Sequence, residues 1–377
     1  MSTRAQRYRV YGLTVETEFR FRTPMIRSSS MRATGGAARQ VRFSVREPKR
    51  QRVLSSASLI YAGSEKNRFD ESVVQLYAAG DLQLMRFPRI ADFAISRGEI
   101  VCELHDPQFE YMIEICLLGH VFAYYLELYG CAALHAGAVA LEEHAVLFVA
   151  DRGTGKSTLV ASLLQIGCSL IADDIAALDA SEGTVRCRPG YPQMKLTAEQ
   201  LSRDLGTASE FPRVHPDFDK LSVPVEALGR FCETTLPVGC IYVLERVEKE
   251  PVKRTPGNPA PAKRAAEVPA ERALQTSPGA SSGVCSFNLL SPGEALVNLV
   301  RHSFLAELLE QRADGDGLRE RRLRRLGSIV QAVPVKRLRV ASGLEMLAGV
   351  QAAVRDDLDR ELGSRAAGGA SAVSRHA

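Results

Sequence analysis

With 377 residues, 45% of them hydrophobic and 24% charged, the chain is too apolar for wholesale disorder. At ~150 residues per domain its length fits two or three domains. Lys and Arg exceed Asp and Glu by 48 to 44, which alone argues for no nucleic-acid partner, and no nucleic-acid module or Trp is present. The charge is uneven: residues 1–52 hold 13 basic against 3 acidic side chains. Met1–Val10 is polar and basic and lacks the apolar core of a secretory signal. Uninterrupted apolar runs of ~18 residues are missing, so no membrane partner is expected. Residues 111–141 come nearest but contain Glu114, His120 and Glu127. The eight cysteines show no CxxC spacing, which argues against a zinc cage. Buried free thiols in a cytoplasmic chain are the expectation.

Residues 1–107 read as a β-rich amino-terminal region. Residues 8–22 and 41–46 alternate in part, and 82–88 and 91–104 continue the pattern around a turn at Ser96-Arg97-Gly98. The basic stretch 22–40, with Ser28-Ser29-Ser30 and Gly35-Gly36, reads as a loop. A second region spans 108–249. It opens with a helix over 108–130, where Tyr111, Ile115, Leu118, Phe122 and Leu126 follow the helical period. Then come an apolar strand (145–149), a Gly-rich loop, a helix (157–165), a turn at Gly167 and another apolar strand (169–172). That alternation predicts an α/β fold with a mixed, mostly parallel sheet. Residues 250–283 carry 6 of the 18 prolines and few large apolar residues, and read as a disordered insertion. Residues 284–362 complete the fold with helices over 294–309 and 318–331, a strand over 335–340 and a helix over 343–358. Residues 363–377 read as a flexible tail.

The strongest chemical signal is Ala150-Asp151-Arg152-Gly153-Thr154-Gly155-Lys156-Ser157-Thr158. A loop that wraps phosphates needs glycines, a helix N-terminus aimed at the anion, a Lys for the β- and γ-phosphates and a hydroxyl for Mg²⁺. Gly153, Gly155, Lys156 and Ser157 fit those roles, and Ala150 stands where the first glycine of the usual pattern would be. Asp173-Asp174 closes the next apolar strand. Paired carboxylates are unfavourable there without positive charge, and Mg²⁺ on nucleotide phosphates would supply it. Two neighbours can divide the work, one holding metal and one taking a proton. His135 precedes the loop-bearing strand.

These residues resemble the catalytic domain of the HPr kinase/phosphorylase family. Leu134-His135, an apolar strand, GTGKST, Gly167 and LIADD follow that family's order, with 21 residues from His135 to Lys156 and 18 from Lys156 to Asp174. The resemblance implies a P-loop kinase that uses ATP and Mg²⁺ to phosphorylate a serine hydroxyl on a peptide or protein. It implies that residues 150–158 hold the nucleotide, Lys156 the β/γ-phosphates, and Ser157 and Asp173 the metal. Asp174 is then the proton acceptor, with His135 supporting the site. ATP-dependent phosphoenolpyruvate carboxykinases share the Lys-then-Asp-Asp order. The family's second Gly-rich signature is missing; Arg188 to Leu196 (RPGYPQMKL) stands there, which leaves phosphorolysis open. YRVYGLTVETEF, PGYPQMKL and EALVNLVRHSF also resemble HPr-kinase-like proteins of peptide natural-product clusters, some of which phosphorylate a precursor-peptide serine, as in lasso-peptide tailoring. The parent family forms hexamers, so the resemblance also implies a homo-oligomer.

Two other readings stand beside this one: a nucleotide-driven switch or assembly ATPase, and a small-molecule kinase. Lys195, Lys220 and Arg188 are weaker candidates for phosphate or acceptor contacts. The run Arg319–Arg325 reads as a solvated helix face and Tyr124-Tyr125 as core packing; the basic amino-terminal arm is the better candidate for docking an acidic peptide, with a solvated loop the favoured reading.

Overall fold

The computed structural model describes residues 5–28, 39–46, 57–181, 183–205, 211–247, 284–311 and 317–373. The insertion expected over 250–283 and most of the basic loop expected over 22–40 lie outside them.

Nine strands make the amino-terminal sheet: β1 (Gln6–Val10), β2 (Leu13–Thr17), β3 (Ile26–Arg27), β4 (Arg39–Arg46), β5 (Ser58–Ala62), β6 (Gln75–Ala79), β7 (Leu82–Phe87), β8 (Ala91–Ser96) and β9 (Glu99–Leu104). Their order is β3-β1-β2-β4-β9-β8-β7-β6-β5. The alternating stretch 8–22 is not one strand. Tyr11 (φ 53°) and Gly12 (φ 72°) form a two-residue left-handed turn between β1 and β2, which suits the twist of a hairpin.

A helical stretch over Pro107–Leu128 follows, and Asp106 starts it by accepting the Gln108 N–H at 3.0 Å. It comprises α1 (Glu110–Cys116), a π turn (Leu117–Val121) and α2 (Phe122–Leu128). It is apolar and long enough to cross a membrane by length and composition. Its Ile113, Leu117, Phe122 and Tyr124 are instead buried in one core with Phe43, Phe93 and Ile95 of the first sheet. That core runs across residue 107.

The remaining strands are β10 (Ala132–Leu141), β11 (His144–Val149), β12 (Ser169–Ala172), β13 (Ile175–Ser181), β14 (Thr184–Arg188), β15 (Gln193–Thr197), β16 (Lys220–Pro224), β17 (Arg230–Phe231), β18 (Leu236–Val247), β19 (Cys285–Leu289) and β20 (Val335–Ala341). The helices are α3 (Lys156–Gln165), α4 (Ala198–Leu205), α5 (Pro292–Arg301), α6 (Ala306–Gln311), α7 (Leu318–Ala332) and α8 (Leu347–Val373). Strands β15 and β16 pair in a ribbon of their own.

The fold is mixed α/β, but the expectation of a mostly parallel sheet needs correcting. Among the described residues of the sheet that carries the loop, only the β11–β18, β18–β20 and β12–β17 ladders are parallel, and in the amino-terminal sheet only β2–β4 and β4–β9 are. The cause is a tight turn at Glu142-Glu143, where Glu142 has φ 53°. It folds β10 back against β11, so β12 pairs with β10 and not with β11. Successive residues of β11 point to opposite faces. Val146 and Phe148 pack with Leu163 of α3 and Val350 and Val354 of α8, while Leu147 and Val149 pack with Leu299 of α5 and Leu326 and Ile329 of α7. The sheet is therefore covered on both faces.

Three further expectations change. The helix expected over 294–309 is two helices, because His302 O accepts the His135 N–H at 2.7 Å and Phe304 N–H donates to Ala133 O at 2.9 Å. Those bonds to β10 replace helical ones. The tail expected to be flexible from 363 is helical through Val373, and 374–377 lie outside the described residues. The arginine run is not wholly solvated. Arg322 is 1% exposed, and Arg325 lies 2.9 Å from the buried Glu127 carboxylate.

Candidate active site

The loop sits between the end of β11 and the start of α3. Gly153 (φ 84°) and Gly155 (φ 101°) adopt left-handed backbone that turns the chain around the α3 N-terminus. A Cβ on Gly155 would lie 2.6 Å from Arg246 Nη2. Arg246, at the end of β18, donates from Nε to Thr154 O at 2.7 Å. Arg301, the last residue of α5, reaches the exposed Asp151 carboxylate at 2.6 Å. Two guanidiniums thus brace the loop from outside. Ala150 is buried, whereas Asp151, Arg152 and Gly153 are exposed. Lys156 is buried at the first turn of α3, with Ser157 half-buried beside it. Thr158 turns its hydroxyl away, accepting from Gln200 Nε2 of α4 at 2.7 Å. Gly137 of β10 lets α3 approach, since a Cβ there would meet Val160 Cγ2 at 2.7 Å. An open cleft lies beside Thr154 and Gly155, lined by Leu159, Leu244, Val340, Leu344 and Leu347 together with Arg246.

Asp173 and Asp174 follow β12 at the same edge. Asp173 is 6% exposed. Its Oδ2 accepts the Lys195 N–H at 3.0 Å, and its Oδ1 is buried with no partner. Burial, then the neighbouring Asp174, pushes the Asp173 carboxyl above its ordinary range. Asp174 has φ 68°, an uncommon backbone for a residue with a side chain. Its Oδ2 lies 2.7 Å from Lys195 Nζ. Burial pushes Asp174 up, but Lys195 and Lys156 together hold it well below the usual carboxylate range. Lys195, in turn, is raised despite burial by Tyr191 and Asp174.

Two imidazoles share this region. His135, on β10, pairs with Ile175 next to the carboxylates. Burial and the Lys156 ammonium push it down to about 4, so it is neutral at pH 7. His120, from the π turn, is likewise pushed down to about 4 by burial and by Lys195. Phe304 contacts both rings, with centroids 5.5 Å from His120 and 5.9 Å from His135. Tyr11, at the tip of the β1–β2 hairpin, donates its N–H to Pro189 O at 2.7 Å and stacks edge-on against Tyr191 at 6.3 Å. Burial raises its phenol, with further push from Tyr191, Asp174 and Asp173. The amino-terminal sheet therefore packs against the Pro189–Tyr191 segment that leads into β15.

The structure brings His135, Lys156, Asp173 and Asp174 together, and Lys195 with them. His120, Tyr11, Phe304, Arg246 and Arg301 were missed by sequence reasoning. For His120 a signal existed: Gly119-His120 interrupts an apolar helical run, and Gly119 breaks the helix geometry with φ −95°, ψ −107°. Among the described residues, no cluster of three or more His, Cys, Asp or Glu side chains could hold a metal unaided. The unpartnered Asp173 Oδ1 nevertheless fits a divalent cation that takes its other ligands from phosphate and water.

No family model matches the chain, and no curated protein matches it. Among solved structures, the HPr(Ser) kinase/phosphatase from Coxiella burnetii is similar at 11% identity and a TM-score of 0.33, over 62% of this chain and 95% of that one. At that TM-score the likeness adds nothing to the geometry above.

Proposed function

We propose that the chain is an ATP- and Mg²⁺-dependent phosphotransferase that phosphorylates a serine hydroxyl on a peptide or protein. The observation that carries this reading is the convergence of the Lys156 loop with a buried carboxylate pair, one oxygen of which is unsatisfied. A loop alone would serve binding; two carboxylates of unlike environment add a place for metal and a place for a proton.

In this reading the loop N–H groups and Lys156 hold the β- and γ-phosphates, and the cleft beside Gly155 takes the base. Ser157 and Asp173 would hold Mg²⁺, which when bound neutralises phosphate charge. The acceptor serine stands by Asp174 and the neutral imidazole of His135. Its oxygen bonds to the γ-phosphorus, the bond to the β-phosphate bridging oxygen breaks, and ADP leaves with those electrons. Asp174 takes the hydroxyl proton.

Lys156→Ala tests the loop. Transfer of labelled phosphate from ATP to serine peptides should be lost while the far-UV CD spectrum and cooperative melting persist. Wild-type transfer by the folded variant would overturn the assignment.

A further inference from the structure

The proposed transfer needs Asp174 free to take a proton, yet Lys195 Nζ holds it at 2.7 Å. The same residue's backbone N–H donates to Asp173 at 3.0 Å, so one position of β15 grips both carboxylates. Strand β15 belongs to the β15–β16 ribbon and not to the central sheet. Gln200 ties this ribbon to the loop helix. Its Oε1 accepts the Thr197 N–H at 2.8 Å, and its Nε2 donates to Thr158 at 2.7 Å. A second ammonium thus stands at the carboxylate pair, on an element linked to the phosphate-binding helix. Lys156 and Lys195 both act on Asp174.

We propose that Lys195 is a γ-phosphate-binding residue that exchanges partners, pairing with Asp174 while no triphosphate is bound and moving to the γ-phosphoryl oxygens when one is. The exchange rests on reading residues 150–158 as a nucleotide loop. A terminal phosphoryl group offers three strong acceptors and more charge than a carboxylate. A lysine on a flexible stem can follow that charge. A diphosphate has no γ-oxygens and leaves the pair closed. Asp174 is then released only when the group to be transferred is in place. A purely structural ion pair would neutralise Asp174 whatever the loop holds.

The test is equilibrium binding of the Mg²⁺ complexes of a β,γ-imido ATP analogue and of ADP, measured by calorimetry. The wild type should bind the triphosphate ~10–100-fold more tightly than the diphosphate. Lys195→Met should cut that preference ~5–10-fold by weakening the triphosphate alone, the remainder coming from Lys156 and the loop, and Lys195→Arg should restore part of the loss. Asp174→Asn frees Lys195 from its resting partner and should tighten the triphosphate ~3–10-fold with ADP unchanged. If Lys195→Met does not fold, Asp174→Asn reads the same exchange from the other side. A triphosphate preference undiminished in Lys195→Met overturns the proposal. So does an Asp174→Asn variant that tightens both nucleotides equally or weakens the triphosphate. Equal affinities in the wild type overturn the exchange alone, whereas binding of neither nucleotide removes the loop reading and the exchange together.

Discussion

Asp173 is a carboxylate that the nucleotide-free fold holds at a disadvantage, and Asp173→Asn measures that directly. One of its oxygens takes the Lys195 N–H and the other takes nothing. Burial and Asp174 raise its folded pKa above the ordinary 3.8. The folded chain then binds more protons than the unfolded chain. Stability from this group therefore falls as pH climbs from 3.8 through the folded value, and stays lower above it. Asparagine removes the charge and keeps an oxygen for the Lys195 N–H. At neutral pH the substitution should stabilise the nucleotide-free protein by ~1 kcal/mol, in the range for relieving a group kept for function. For a chain of this size that is a rise of ~1–3 °C in Tm. The same change removes a ligand for the cation. Saturation at a hundred times Kd stabilises by ~2.7 kcal/mol, and each tenfold loss of Mg-ATP affinity subtracts ~1.4 kcal/mol of it. Scanning calorimetry with and without Mg-ATP should show the variant melting above the wild type when free and below it when liganded. An asparagine variant that melts lower without ligand, or gains as much from Mg-ATP as the wild type, would refute the reasoning.

Other substitutions probe the frame around the site. Arg325→Ala should destabilise by ~3–5 kcal/mol in a urea titration, because it leaves the 1%-exposed Glu127 carboxylate without its ion pair. His120→Phe should flatten the fall in Tm between pH 6.5 and 4. The imidazole, pushed down to about 4 by burial and Lys195, gives stability that is full above 6.5 and lost as pH falls through 4, roughly 3 kcal/mol in all. Gly12→Ala should lower the urea midpoint by the equivalent of ~1–2 kcal/mol, since φ is 72° and the added Cβ would lie 2.6 Å from Arg188 Cδ.

The loop and the aspartate pair were legible because they are local. Strand β11, the Gly-rich turn, α3 and β12 are consecutive, and residue type alone marks Gly153, Gly155, Lys156 and the two carboxylates. The rest of the site comes from residues that carry no local pattern. Lys195 looks like any lysine until the β15–β16 ribbon sets it on Asp174. Phe304 sits where periodicity continues a helix, and only the bonds of residues 302–304 to β10 and its flank break that helix. Tyr11 belongs to a hairpin whose contact with Pro189 spans most of the first sheet and α1–α2 in sequence. Strand direction was misjudged for a related reason. Hydrophobic alternation marks β10 and β11 but does not say that β10 lies between β11 and β12.

The central claim is phosphoryl transfer to serine through Asp174. The most direct measurement follows γ-labelled ATP with wild-type and Asp174→Asn protein, given a degenerate serine-peptide library or the same library with alanine in place of serine. The label should enter the serine library alone, and Asp174→Asn should slow it ~10²–10⁴-fold with triphosphate binding undiminished. Label appearing only as free phosphate, at one rate with either library and in both proteins, would contradict the claim and favour a nucleotide-driven switch.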